Sequence, residues 1–190
     1  MDDRAFGEHI AHVVIRGILA GSAVEIDGLG TFYPDPDRFF HFEPKRLPQV
    51  FIAHVVEDRA SAERLYDTLE AAGFAPWMDT RKLLPGQNWP RSIEAAIESS
   101  DFFVACFSPN SVAKKGGFQA EIRYALDCAR QLPLDQIFIM PVRLGVCAVP
   151  RAIQREYQYV DLAPDWDRGA RRMISTMRKE LARRERSGGR

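Results

Sequence analysis

The segment Asp101–Ser108 (DFFVACFS) constrains the fold most, because its centre is an unbroken run of apolar residues. A β-strand turns successive side chains to opposite faces of its sheet, so both faces of this strand must be buried. Two other apolar runs have the same character, Gln49–His54 (QVFIAH) and Gln136–Val142 (QIFIMPV). Strands of this kind are typical of parallel sheets that helices cover on both sides.

Helical periodicity separates these strands along the chain. Apolar residues recur with the helical spacing i, i+3, i+4 and i+7 at Ala62, Leu65, Tyr66 and Leu69. Gly73 follows, where a glycine commonly ends a helix. Two further short strands are predicted, at Phe74–Asp79 and Tyr157–Leu162. The remaining helices are predicted after Pro90, from Phe118 to Ala129 and from Trp166 to Arg184, and Pro109–Gly117 is predicted as a loop. The alternation predicts an α/β fold, with a five-stranded parallel sheet and helices on both faces.

The chain changes character near Pro44–Pro48, which predicts a domain boundary. Before it, Ile10–Leu19 has helical spacing, Ala23–Phe32 alternates around two glycines, and Phe39–Phe42 is a candidate partner strand. We expect residues 1–47 to form a small helix and β-hairpin appendage and residues 48–165 to form the main domain. Residues 166–190 are expected to form a basic C-terminal helix and tail that complete it.

Composition narrows the functional classes. The 190 residues are 46% hydrophobic with a formal net charge of zero, which excludes a disordered chain. The acidic start Met1-Asp2-Asp3 does not begin a secretory signal, and no apolar run reaches the roughly 18 residues of a membrane span. We therefore expect a cytoplasmic protein without membrane contact. Three distant cysteines support neither a disulfide framework nor a zinc site, so no metal is expected.

The candidate chemistry lies on loops at the carboxyl ends of the strands, where open parallel sheets bind ligands. A phosphoacceptor domain of this architecture needs an aspartate after its third strand, but Cys106-Phe107-Ser108 stands there. The sequence has no dinucleotide-binding, P-loop, zinc-protease or nucleophile-elbow motif. Glu121 borders the apolar stripe of a helix that begins after the third loop. It either points toward the cleft or is an ordinary surface residue.

Five successive segments resemble a Toll/interleukin-receptor (TIR) domain of bacterial type. They are VFIAH at Val50–His54, LYDTLEAAGFAPWMD at Leu65–Asp79, LLPGQNW at Leu83–Trp89, SIEAAIESSDFFVACFSPNSV at Ser92–Val112 and GGFQAEIRYAL at Gly116–Leu126. Their order and spacing match the family over residues 49–162. The resemblance implies a flavodoxin-like fold whose five strands lie in the order 2-1-3-4-5.

The resemblance also implies an activity. Many bacterial members cleave NAD⁺ between nicotinamide and ribose, in immune systems that kill or arrest phage-infected cells, and release ADP-ribose or a cyclic isomer. Glu121 occupies the place of the catalytic glutamate. NAD⁺ is then the substrate, and no cofactor is implied.

Four other residues match family positions near the substrate. Trp89 matches an aromatic residue that packs on nicotinamide, although it could equally start a helix. Asp79 and Ser108 match polar positions at strand ends, where the alternative is loop capping. His54 is placed at the cleft floor, or else fills a polar gap.

Elementary chemistry is consistent with a single carboxylate. Nicotinamide is already cationic in NAD⁺, so it leaves as a neutral base without a general acid. Positive charge then develops on the ribose, where one carboxylate can stabilise it. The chain departs from many catalytic members at Gly117, where those carry an aromatic residue four positions before the glutamate. Phe118, one position later, is the candidate to compensate and to contact substrate.

Family resemblance also assigns a self-association loop, which contains Leu83, Leu84, Pro85 and Gly86. The expected active form is a TIR–TIR homo-oligomer, with an upstream sensor protein as a candidate partner. The alternative function is a non-catalytic interaction module that uses the same surfaces. A third hypothesis is an enzyme like the nucleoside deoxyribosyltransferases, which also use a glutamate on an N-glycosidic bond, although the long LLPGQNW loop argues against it.

The two ends of the chain raise the question of DNA contact. The segment VEIDGLGTF followed by HFEPKRL resembles the strand region of HU-type DNA-binding proteins, and implies dimerisation or DNA sensing. The alternative is a plain β-hairpin packed on the main domain. Residues 168–190 hold nine Lys or Arg and two Glu. This basic tail is interpreted as the solvated face of a helix, with DNA contact as the alternative.

Overall fold

The fold is described from a computed structural model, over residues 3–26, 28–79 and 88–188. The self-association loop predicted at residues 83–86 lies outside this part of the chain. Two compact units are present, Met1–Leu47 and Pro48–Arg190. No helix in the described residues is long and apolar enough to cross a lipid bilayer.

The N-terminal unit is a helix with a three-stranded antiparallel sheet. Its elements are α1 (Asp3–Leu19), β1 (Val24–Ile26), β2 (Gly30–Asp35) and β3 (Phe39–Pro44). The sheet order is β1-β2-β3, and Phe32 of β2 lies opposite Val24 on one side and Phe42 on the other. A helix and antiparallel hairpin were predicted here and are confirmed. The resemblance to HU-type proteins stays a prediction.

One detail of the N-terminal unit differs from the prediction. The alternating segment Ala23–Phe32 was expected to be one strand, but it contains β1, a turn and the start of β2. Gly28 has a φ of +78°, in the left-handed region that glycine adopts without steric cost. The chain reverses direction there. The alternation of apolar residues runs on across this turn, so it did not show that the segment is two strands.

A five-stranded parallel sheet organises the larger unit. Its strands are β4 (Gln49–Ala53), β5 (Ala75–Trp77), β6 (Phe102–Phe107), β7 (Ile139–Arg143) and β8 (Val160–Asp161). Their order across the sheet is β5-β4-β6-β7-β8, and each neighbouring pair is parallel. This is the predicted order 2-1-3-4-5, which is confirmed.

Helices connect the strands of the larger unit. They are α2 (Arg59–Ala71), which follows a short 3₁₀ turn (Val56–Asp58), α3 (Trp89–Glu98), α4 (Pro109–Ala113), α5 (Gly117–Ala129), α6 (Arg151–Glu156) and α7 (Trp166–Gly188). The predicted helices α2, α3, α5 and α7 are confirmed. The short helices α4 and α6 were not predicted, and α4 occupies part of the segment Pro109–Gly117 that was expected to be a loop.

The alternation of β6 divides the core into two layers. Phe102, Val104 and Cys106 face one layer, which α2 and α7 complete. Phe103, Ala105 and Phe107 face the other layer, where α3, α5 and α6 pack. All six side chains are at most 1% exposed, so β6 is buried on both faces as predicted.

A buried carboxylate fastens α7 to the sheet. Glu180 is 3% exposed, and it accepts hydrogen bonds from Arg183 and Arg184 at 2.9 Å and from the backbone N–H of Ile137 at 3.3 Å. Arg184 also donates to the carbonyl oxygens of Ile137 and Asp101, at 2.7 and 3.2 Å. This network joins the end of α7 to the chain just before β6 and β7.

We expect Glu180→Gln to lower the free energy of unfolding by about 1 to 3 kcal/mol, because two arginines lose a buried anionic partner. Urea denaturation measures the loss. The matched control is Glu185→Gln, an exposed glutamate of the same helix, which should change stability by less than about 0.5 kcal/mol. Equal effects of the two substitutions would show that the network does not stabilise the fold.

Candidate active site

Glu121 lies one turn into α5, at the border between its buried and exposed faces. Phe118, Ile122 and Ala125 anchor this helix in the core and are at most 6% exposed. Their spacing fixes the rotation of the helix, so the Glu121 side chain is half-buried at the edge of the packed face. The carboxylate therefore borders the core without being enclosed by it.

A cavity of about 270 Å³ lies between α3 and α5, and we call it the α3–α5 cavity. Its lining residues are Trp89, Pro90, Ile93, Glu94 and Ile97 from α3, with Gly117, Ala120, Glu121 and Tyr124 from α5. Both helices begin after strands that end at the carboxyl edge of the sheet. The first turns of both helices, which supply Trp89, Pro90 and Gly117 to the lining, therefore lie toward the edge where doubly wound folds commonly bind their ligands.

Trp89 is brought to this cavity by the start of α3. The Asn88 side chain caps the helix by accepting a hydrogen bond from the Arg91 backbone N–H at 3.3 Å, and Pro90 sits in the first turn. The helix buries Ala96 and Ile97 in the core. Trp89 itself stays 60% exposed, so its indole is available to a ligand.

The pKa of the Glu121 carboxyl is raised from 4.5 to about 7, mainly by burial and in smaller part by the negative charge of Asp79. Asp79 therefore lies within electrostatic reach of Glu121. A carboxyl with this pKa is only partly ionised at neutral pH. A cation that entered the cavity would favour the ionised form.

Ser108 performs a structural task in this structure. It is 3% exposed and caps α4, where its hydroxyl oxygen accepts hydrogen bonds from the backbone N–H groups of Asn110 and Ser111 at 3.1 Å. Its hydroxyl group donates to the buried carboxylate of Asp58, which also accepts from the Asn110 side-chain amide at 2.9 Å. Capping of α4 by Ser108, the alternative to substrate binding, accounts for these contacts.

Phe118 and His54 lie outside the lining of the α3–α5 cavity. The Phe118 ring is 6% exposed and packs edge-to-face on Phe107 with ring centroids 5.7 Å apart. It belongs to the core, so it does not fill the space beside Gly117. His54 lies half-buried directly after β4. Asp79 is likewise absent from that lining. The substrate-binding assignments of His54, Asp79, Trp89, Ser108 and Phe118 stay predictions, as does the catalytic assignment of Glu121.

Two residues that sequence reasoning missed line the cavity. Glu94 lies on α3, one turn beyond Pro90, and Tyr124 lies on α5, one turn beyond Glu121. The Tyr124 hydroxyl donates to the Glu98 carboxylate, and this hydrogen bond raises the pKa of Tyr124 to about 12. Helical spacing from Pro90 and from Glu121 was the signal that could have identified both.

The described residues also contain three larger hollows, of about 400, 360 and 320 Å³, and neither Trp89 nor Glu121 lines any of them. The hollow of about 400 Å³ lies where β7 begins and where the chain approaches β8, at the amino edge of the sheet. Across residues 3–26, 28–79 and 88–188, no cluster of three or more His, Cys, Asp or Glu side chains could hold a metal ion.

The parallel five-stranded sheet and its strand order define a flavodoxin-like α/β protein, and a cavity with a carboxylate lies between two of its helices. The sequence matches the TIR domain family over residues 50–174. The chain therefore belongs to the TIR domain family.

Two sequence relatives come from bacteria. An uncharacterized protein, y4cD, of Sinorhizobium fredii is 26% identical over 144 residues, which are 75% of this chain and 22% of that protein. The NAD(+) hydrolase PdTIR of Paracoccus denitrificans is 39% identical over 67 residues, which are 35% of this chain and 22% of that protein. The matched region is thus less than a quarter of the length of either relative.

Solved structures agree with the fold. The TIR domain of the Toll-related receptor TRR-2 from Hydra magnipapillata superposes with a TM-score of 0.53 at 25% identity, over 66% of this chain and 97% of that one. A metazoan TIR-STING receptor from C. gigas superposes with a TM-score of 0.57 at 22% identity, over 70% of this chain and 41% of that one. The second similarity supports the fold alone.

The raised pKa of Glu121 predicts a pH-dependent effect on stability. A carboxyl whose pKa is higher in the folded protein stabilises the fold below its unfolded pKa of 4.5, and this contribution is lost as the pH rises through about 7. Glu121→Gln should therefore raise the free energy of unfolding at pH 8 by about 1 to 3 kcal/mol relative to its effect at pH 4.

Urea denaturation of both proteins at the two pH values measures this difference. Glu94→Gln is the matched control, because Glu94 lines the same cavity but is exposed. A Glu121→Gln effect that is equal at both pH values would contradict a raised pKa.

Proposed function

We propose that this protein is an NAD⁺ nucleosidase that breaks the bond between nicotinamide and ribose. One observation carries the proposal: the Glu121 carboxylate and the exposed Trp89 indole line a single cavity between α3 and α5. Water replaces nicotinamide to give ADP-ribose, or a hydroxyl or ring nitrogen of the same molecule replaces it to give a cyclic isomer. NAD⁺ is consumed as the substrate, and the reaction needs no cofactor.

The lining of the α3–α5 cavity suits a flat cationic ring. Its walls are mostly apolar, with Pro90, Ile93 and Ile97 on one side, and Trp89 offers an aromatic face to a cation. Two carboxylates, Glu94 and Glu121, add negative charge. The nicotinamide of NAD⁺ is a planar ring that carries one positive charge, so it meets an aromatic surface and an anion together.

Glu121 is assigned the stabilisation of the reacting ribose. As the glycosidic bond breaks, its electron pair stays on the nicotinamide nitrogen, and positive charge moves to the anomeric carbon. A carboxylate in a partly dehydrated site stabilises that charge more strongly than water does. The cation of the bound substrate also favours the ionised form of Glu121, so binding prepares the carboxylate for the reaction.

One relative supports the proposed reaction. PdTIR of Paracoccus denitrificans bears the name NAD(+) hydrolase and is 39% identical over 67 residues, although these cover only 35% of this chain. We extend the proposal to its setting: a cytoplasmic protein of bacterial immunity against phage, activated by a sensor protein. Assembly of copies through residues 83–86 would complete the active form.

A non-catalytic interaction module is the second candidate. Its support is Gly117, which stands where many catalytic TIR domains carry an aromatic residue, together with the burial of Phe118 in the core. Neither residue then presents a ring to substrate. Concentration-dependent self-association of the pure protein without nicotinamide release would select this candidate.

Glu121→Gln is expected to reduce nicotinamide release from NAD⁺ by at least about 100-fold, because the amide keeps the shape of the side chain but not its charge. Nicotinamide is quantified chromatographically with pure protein, alone and under crowding that promotes assembly. Glu94→Gln is the matched control in the same cavity and should retain activity within about tenfold. Equal activity of wild type and Glu121→Gln would eliminate the role assigned to Glu121.

The reaction should also require the ionised form of Glu121. Because the pKa of this carboxyl in the folded protein is about 7, kcat/KM for NAD⁺ should be constant above about pH 8 and should fall about tenfold per pH unit below about pH 6. Initial rates at low NAD⁺ measure the profile. A profile that is flat between about pH 5.5 and 8.5 would rule out this titration.

A further inference from the structure

Two of the four α5 residues that line the α3–α5 cavity are small, Gly117 and Ala120. They lie three residues apart and therefore on one face of the helix. Gly117 is also one turn before Glu121, so the space that it leaves adjoins the carboxylate. The size of residue 117 thus sets how much room exists beside the reacting group.

Neither backbone conformation nor packing requires glycine at this position. The φ of Gly117 lies outside the left-handed region, unlike that of Gly116 at +128°. A Cβ atom at residue 117 would have only Glu121 Oε1 nearby, at an ordinary contact distance of 4.0 Å. At Gly169, by contrast, a Cβ would come within 2.2 Å of the Asp161 carbonyl oxygen.

Gly117 is the first residue of α5 and has an ordinary φ, and alanine at such a position reduces the conformational freedom that the unfolded chain loses on folding. The fold thus tolerates a side chain at residue 117, and local stability favours one. What glycine supplies there is room next to Glu121.

We propose that Gly117 is a specificity-determining residue, which keeps the α3–α5 cavity wide enough for the cationic leaving base. This inference rests on the proposed function and names the substrate class more closely. The site would accept N-glycosides of cationic aromatic bases at least as large as nicotinamide. A side chain at residue 117 would narrow the cavity and discriminate against the larger bases first.

The size of the cavity agrees with this class. A volume of about 270 Å³ equals roughly nine water molecules at about 30 Å³ each, which leaves space around a single pyridine ring. An isopropyl side chain from Gly117→Val would occupy part of this space beside Glu121. Small changes of volume in such a pocket alter recognition about 10- to 200-fold.

Binding can be measured separately from catalysis in a Glu121→Gln background, where NAD⁺ should persist uncleaved. Calorimetry would give the Kd of NAD⁺ and of an analogue whose 3-carboxamide is replaced by a larger 3-isobutyryl group. With Gly117 present, we expect the two Kd values to agree within about fivefold. Gly117→Ala should raise the Kd of the analogue more than the Kd of NAD⁺. For Gly117→Val, the increase in the Kd of the analogue should exceed the increase for NAD⁺ by at least about tenfold.

Two controls exclude a general loss of structure. Gly7→Val places the same change in α1, where a Cβ meets no atom within 4 Å, and should leave both Kd values unchanged. Gly117→Ala should melt at or above the temperature of its parent, because alanine fits the backbone there and reduces the freedom of the unfolded chain. If affinity for the analogue falls while the melting temperature is unchanged, the cause is a change in the cavity and not a loss of structure.

The outcomes separate this inference from the proposed function. If the Gly117 variants bind both ligands as their parent does, the inference is overturned, while nicotinamide release by the wild type still supports the nucleosidase. If the wild type releases no nicotinamide but the Kd values follow the size of residue 117, the inference holds for binding and the nucleosidase fails. If neither ligand binds to Glu121→Gln protein that carries Gly117, the inference is overturned as well.

Discussion

The burial of β6 on both faces is the constraint on which the rest of the larger unit depends. Phe102–Phe107 contributes alternate side chains to two core layers, and neither layer exists without it. The Phe107 ring at its end receives Phe118, and this contact holds the first turn of α5 against the sheet. Because Glu121 follows within the next turn, the strand that builds the core also positions the candidate catalytic carboxylate.

The position of Glu121 has opposite consequences for stability and for chemistry. Partial burial raises the pKa of its carboxyl, so the ionised form is costly in the empty cavity. The same dehydration strengthens its interaction with a cation. The ionised carboxylate thus lowers the stability of the free protein but strengthens the binding of a charged substrate. This is a common form of the trade-off between stability and activity.

Much of this architecture could be predicted because its determinants are local. Apolar runs identified the strands, and the periodicity of α5 placed Phe118 and Glu121 on its buried face and its border. The short helix α4 was missed because it depends on reciprocal hydrogen bonds between Ser108 and Ser111, which composition does not reveal. Trp89 and Glu121 line the same cavity because α3 packs against α5. The spacing of residues along the chain does not predict which helices pack together, so only the family resemblance indicated that these two residues share a site.

The central claim is that the α3–α5 cavity holds the bond that breaks. A crystal structure of the Glu121→Gln protein with NAD⁺ tests it most directly. We expect the nicotinamide ring inside the cavity against Trp89, with the residue 121 amide beside the anomeric carbon of the ribose. A nicotinamide bound outside the cavity, or a residue 121 side chain directed away from that carbon, would contradict the claim.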